Sequence, residues 1–153
     1  MTEDPKQPRT GSCRCGELKF EVTAAPLVTA ACHCRGCQKM ASSAYSLTMM
    51  VPEDGFAVTT GEPVLGGLKG EAVQHFFCPS CLTWVYSKPQ RIAGFVNLRA
   101  SMLDDTSDIA PFMETWTSEK LAFAETGAAR SFPQFPPPEE FGALLAAFAE
   151  WKG

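Results

Sequence analysis

The sequence predicts a mainly β domain followed by a C-terminal amphipathic helix, on three observations. Short segments that alternate apolar and polar residues recur between Leu18 and Trp116, the period-2 signature of half-buried strands. Seven cysteines fall into three short-spaced groups, Cys13/Cys15, Cys32/Cys34/Cys37 and Cys78/Cys81, with glycine or proline close by. From Glu139 the period changes, and Phe141, Leu144, Leu145, Phe148 and Trp151 fall on one face of a helix.

A chain of 153 residues fits one domain and is long enough to bury roughly two-thirds of its unfolded surface. Hydrophobic content of 45% and charged content of 20% describe an ordinary globular chain rather than a disordered or membrane one. The start, Met1 to Pro8, lacks the basic region and apolar core of a secretory signal. No run approaches the ~18 apolar residues of a membrane span. The expected compartment is therefore a reducing cytoplasm, where seven cysteines do not make a disulfide framework and an odd number leaves one unpaired. A net charge of -4 with scattered Lys and Arg argues against nucleic acid, whose phosphates need concentrated cations.

Residues 1–10 hold two prolines and no periodicity, and read as a flexible tail; the zinc-binding β domain is placed at 11–125. Leu18, Phe20 and Val22 alternate with Lys19 and Glu21 as a strand that follows the first cysteine pair. Tyr45–Val51 reads as a strand stopped at Pro52-Glu53-Asp54-Gly55, and Phe56–Thr60 as a short strand ending at Gly61. Ala72–Phe77 and Thr83–Tyr86 read as two strands flanking the Cys78-Pro79-Ser80-Cys81 knuckle; Ile92–Leu98 and Phe112–Trp116 follow, and Leu121–Phe123 ends the domain. Residues 126–138, with four prolines, read as a linker that propagates neither helix nor sheet. The helix over 139–153 carries Glu139 and Glu140 in its first turn, where the macrodipole favours acids. Its apolar face is expected to dock on the sheets or on a partner, a homodimer among the candidates.

The cysteine spacing is Cys-x-Cys, 16 residues, Cys-x-Cys-x-x-Cys, 40 residues, then Cys-x-x-Cys. Zinc takes four N/S ligands in a structural site and three plus an exchangeable one in a catalytic site. Seven divides into four and three. Cys13, Cys15, Cys78 and Cys81 make a closed site that clips two distant turns together. Cys32, Cys34 and Cys37 then hold a second ion with one position open. His33 is expected to support the site or face solvent rather than to ligate, because alternate side chains of extended chain point opposite ways. His75, in a strand, reads as a satisfied or exposed histidine. Gln38, Lys39, Ser42 and Ser43 follow the trio closely enough to line a pocket. Three thiolates leave a dication with a net charge of about -1, which suits a soft thiol as the fourth ligand better than hydroxide.

The motifs Gly-x-Cys-x-Cys-Gly at Gly11–Gly16, Cys-His-Cys-x-x-Cys at Cys32–Cys37, Phe-Cys-x-x-Cys at Phe77–Cys81 and Leu-Asp-Asp at Leu103–Asp105 together resemble the glutathione-dependent formaldehyde-activating enzyme family, which also includes centromere protein V. The resemblance runs from about Gly11 to Phe123 and takes in all seven cysteines. It implies several small antiparallel sheets around a zinc-clipped core. It further implies a structural zinc at Cys13, Cys15, Cys78 and Cys81, and a second zinc at Cys32, Cys34 and Cys37, near which glutathione binds. The implied reaction joins glutathione and formaldehyde as S-hydroxymethylglutathione, a carbon-sulfur lyase reaction run in the synthetic direction. The chain departs from the family pattern at Leu82, where glycine is usual, and at Glu114 and Phe123, which align with positions that often carry His and Trp. Two other classes fit the same cysteines. One is a non-catalytic zinc module that binds a protein, which keeps its metal indifferent to small thiols. The other is a redox sensor, which releases metal on oxidation.

Overall fold

The computed structural model describes residues 7–153, which hold eleven strands and two α-helices. The proposed tail at residues 1–6 lies outside the described residues. The chain divides into two interleaved units. One takes the residues up to Pro26 with Met50–Asp108, and the other Leu27–Met49 with Ile109–Gly153.

In the first unit, β1 (Arg9–Ser12), β2 (Lys19–Val22) and β5 (Phe56–Thr60) form an antiparallel sheet in the order β1-β2-β5. Arg9 and Thr10, read from sequence as tail, instead pair with Val22 and Glu21, because the β2 edge supplies them with ladder partners. Alternation along β2 is as expected, with Leu18, Phe20 and Val22 at most 1% exposed. Gly11 admits no side chain: a Cβ there would stand 2.4 Å from the Phe20 ring and 2.3 Å from the Met102 carbonyl oxygen. The strands β6 (Val64–Gly66), β7 (Val73–Phe77), β8 (Trp84–Pro89) and β9 (Phe95–Arg99) lie antiparallel in chain order. Aromatic rings run through this unit: Phe20 meets Phe56 at 5.5 Å, Phe56 meets Tyr86 at 4.8 Å, and Tyr86 stacks on Phe76 at 4.7 Å. His75 is satisfied, its Nδ1 2.7 Å from the Ser87 hydroxyl, which also accepts the Trp84 indole N–H at 2.9 Å.

In the second unit, β3 (Val28–Cys32) leads into α1 (Arg35–Ala41), and β4 (Ser46–Pro52) carries the chain back to the first unit. Downstream come β10 (Met113–Thr115), β11 (Arg130–Ser131) and α2 (Phe141–Glu150). The strands β3 and β11 both run parallel to β10, a departure from the small antiparallel sheets expected. Long excursions separate these strands in sequence, and parallel pairing requires such connections. The strand β11 also corrects the reading of 126–138 as unable to form sheet. All four prolines of that stretch follow Ser131, so the Arg130 and Phe132 N–H groups are free to donate to the Phe112 and Glu114 carbonyls at 3.1 and 2.9 Å. Helix α2 begins at Phe141 rather than Glu139, because Pro138–Glu140 forms a 3-10 turn. Leu144 is buried, α2 packs on β3, and the Phe148 and Trp151 rings meet Phe112 edge-on at 5.8 and 5.4 Å.

Candidate metal centres

The first cysteine group sits in two tight turns. Between β1 and β2, the Cys13 N–H donates to the Leu18 carbonyl at 2.9 Å, and Gly16 turns the chain at φ +81°. Between β7 and β8, the Cys78 N–H donates to Thr83 at 3.1 Å, and the Leu82 N–H to Cys78 at 3.0 Å. These turns bring Cys13, Cys15, Cys78 and Cys81 together with their sulfurs within 4.8 Å of one another. Cys13 and Cys15 sulfurs stand 3.6 Å apart, and those of Cys15 and Cys78 3.8 Å. Those separations exceed the ~2.05 Å of a disulfide, and all seven cysteines are free thiols. The Leu18 N–H donates to the Cys13 sulfur at 3.3 Å, a bond that favours thiolate. The Thr83 hydroxyl, 3.1 Å from the Cys81 sulfur, is the largest influence that brings Cys81 down to about 5.

The second group is built at a strand-to-helix junction. Cys32 ends β3, with its Cα partnered by Thr115 of β10. Cys34 caps α1, its sulfur accepting the Cys37 N–H at 3.3 Å. The helix begins at Arg35, so Cys37 lies in its first turn, and the three sulfurs lie within 4.8 Å of one another. Among the described residues no fourth Cys, His, Asp or Glu joins them. A hydrogen bond with the Cys37 thiol, aided by one from the Thr115 hydroxyl, brings Cys32 down to about 5. The same Cys32–Cys37 bond, with burial, pushes Cys37 up. Sulfur-only donors braced by N–H and O–H groups are a fit surrounding for zinc in both clusters.

His33 is fully buried and does not join the three sulfurs. Its ring meets Tyr45 edge-on at 5.4 Å, and its Nε2 lies 3.7 Å from Glu114 Oε2, which also accepts the Thr126 hydroxyl. Gln38, expected in a pocket, is a buried bracket instead. Its amide N–H groups donate to the His33 and Glu119 carbonyls at 2.7 and 3.0 Å, and its carbonyl oxygen accepts from Arg35. Lys39, Ser42 and Ser43 occupy the far end of α1, Ser42 as its left-handed C-cap. Sequence reasoning missed Thr115, Thr126 and Glu119, whose carboxylate accepts the Arg35 N–H at 2.8 Å. Only the register of β10 against β3 reveals their proximity to the cysteines, and no local pattern carries that register.

No helix among the described residues is long and apolar enough to cross a membrane. A search of curated proteins finds no match. Among solved structures, a crystal structure of a Rhodobacter sphaeroides protein is similar at a TM-score of 0.49 and 17% identity, over 62% of this chain and 87% of that one. The sequence profile of the glutathione-dependent formaldehyde-activating enzymes matches residues 8–119. That span includes all seven cysteines, and the chain belongs to this family.

Proposed function

We propose that the protein is a zinc-dependent carbon-sulfur lyase that joins a small thiol, glutathione or one like it, to formaldehyde or a related aldehyde. In this reading Cys13, Cys15, Cys78 and Cys81 hold a structural zinc, and Cys32, Cys34 and Cys37 hold a second with one position open to the thiol. The observation that carries it is the trio's lack of a fourth ligand among the described residues, against the complete set of four in the other cluster.

When bound there, zinc would lower the pKa of the incoming thiol and keep its sulfur beside the carbonyl. The reaction adds S–H across C=O: the sulfur–carbon bond forms, the carbonyl π bond opens, and the thiol proton passes to oxygen. The chain's own part is to hold three thiolates in place. Thr115 and the Cys37 N–H brace the Cys32 and Cys34 sulfurs, while Gln38 and Glu119 fix the start of α1 on β3 and the segment after β10. A reducing compartment such as the cytoplasm would keep the seven thiols available.

Metal counting on purified protein, with and without glutathione, tests this. Two zinc ions per chain, one of which changes its X-ray absorption signature on thiol addition, is the expected result. One zinc, or two indifferent to thiol, would remove the open site and leave a structural zinc module.

A further inference from the structure

One large apolar side chain after β11 is held in place without being buried. Phe135 is 69% exposed, yet its ring meets Trp116 edge-on, with centroids 5.7 Å apart. Three backbone bonds of 3.1–3.3 Å pin the segment that carries it: Trp116 N–H to Gln134, Thr117 N–H to Phe132 and Ser118 N–H to Pro133. Trp116 itself sits at φ +57°, a left-handed conformation that a bulky residue adopts only when its surroundings enforce it.

The backbone that carries Trp116 runs close to Cys32. Trp116 follows Thr115, whose Cα is partnered with that of Cys32. One step along the chain of about 3.8 Å and one strand spacing of about 4.8 Å keep the Trp116 backbone within about 9 Å of Cys32. Three residues further on, Glu119 accepts the Arg35 N–H and the Gln38 amide, so the stretch from Thr115 to Glu119 runs alongside Cys32 to Gln38. Phe135 lies beyond the 8–119 matched by the family profile, so this chain's own C-terminal segment supplies half of the pair.

We propose, resting on the reading of the trio as a thiol site, that Trp116 and Phe135 form an apolar wall at its rim and select an aldehyde carrying an alkyl chain over formaldehyde. Formaldehyde has no substituent to reach such a wall. An alkyl aldehyde undergoes the same addition, with the sulfur–carbon bond formed, the C=O π bond opened and the thiol proton moved to oxygen. Its chain then covers the open face of the Phe135 ring and removes that surface from water. The wall changes which carbonyl is held and leaves the bond changes as they are.

The probes are S-hexylglutathione and S-methylglutathione, thioethers that keep the product's sulfur–carbon bond and differ only in the chain. Their binding to the zinc-containing protein is measured by calorimetry, with tryptophan fluorescence as a second readout. The expected result is hexyl binding at least about ten-fold tighter than methyl, since pocket methylenes discriminate on that scale. In Phe135→Ala the ratio falls towards one, and in Phe135→Leu it recovers in part. Circular dichroism and zinc content establish that the variants fold. Equal binding of the two thioethers, or a preference untouched in Phe135→Ala, would overturn the wall and leave the thiol site standing. Binding of neither thioether while glutathione itself still binds would overturn the wall alone, and a protein that binds no glutathione either would overturn the thiol site and the wall with it.

Discussion

The Leu82 N–H donates to the Cys78 carbonyl at 3.0 Å, and to make that bond Leu82 adopts φ +57°. The turn closes the Cys78/Cys81 half of the four-sulfur cluster. A left-handed conformation costs a residue with a Cβ about 1–2 kcal/mol, and Leu82 recovers none of this by burial, being 68% exposed. Glycine at this position removes the strain at a smaller entropic cost. Leu82→Gly is expected to stabilise the protein by about 0.5–1 kcal/mol, roughly 2 °C in Tm, read by thermal denaturation. An unchanged or lower Tm would mean that Leu82 makes compensating contacts.

Thr115 is the side chain through which β10 acts on the trio. Its hydroxyl helps to hold Cys32 down at about 5, and Thr115→Val removes that donor at nearly constant volume. Groups that support metal ligands are worth about 10–100-fold in affinity. On the proposed reading, chelator competition should show zinc at the Cys32/Cys34/Cys37 trio loosened about ten-fold, with zinc at the four-cysteine cluster unaffected. Equal loosening of both would point to general destabilisation.

The sequence made the strands legible where a half-buried surface dictates alternation, as in Leu18–Val22, and the cysteine groups legible because ligand spacing is local. Helix α1 was not legible. Its seven residues are too few for a period to show, and part of what fixes it comes from afar, since the Gln38 amide reaches the Glu119 carbonyl 81 residues away. The strand β11 is two residues long and exists through the free edge of β10. The parallel register that sets Thr115 opposite Cys32 is a tertiary fact with no trace in either segment. His33 illustrates both sides. Alternation sets it apart from Cys32 and Cys34, but only the fold shows that it lies buried beside Glu114 rather than facing solvent.

His75 should give the stability curve part of its slope in acid. Burial, and secondarily the charge of Arg99, lower its pKa below the usual 6.5. The unfolded chain then binds more protons than the folded one between the two values. Stability is full above about pH 6.5 and is lost as the pH falls through the folded-state value. His75→Gln cannot titrate, so urea denaturation at pH 7.5 and pH 5 should show a smaller acid loss than in the parent. An identical loss would assign the slope to other groups, the thiolates first among them.

The Glu114 carboxylate joins two elements of the second unit. It accepts the Thr126 hydroxyl and lies 3.7 Å from the buried His33 Nε2. Glu114→Ala would leave the Thr126 hydroxyl without this acceptor and the His33 ring facing a void. Losing such a hydrogen bond costs about 0.5–1.5 kcal/mol, so the alanine variant should unfold at correspondingly lower denaturant. Glu114→Gln keeps a carbonyl oxygen for Thr126 and offers an N–H towards His33, and should lose less than half as much. Equal losses in the two variants would show that the charge of Glu114, rather than its hydrogen bonding, holds this corner together. If neither lost stability, the contact beside Cys32 and Cys34 would carry no structural weight, and Glu114 would be free to act on substrate.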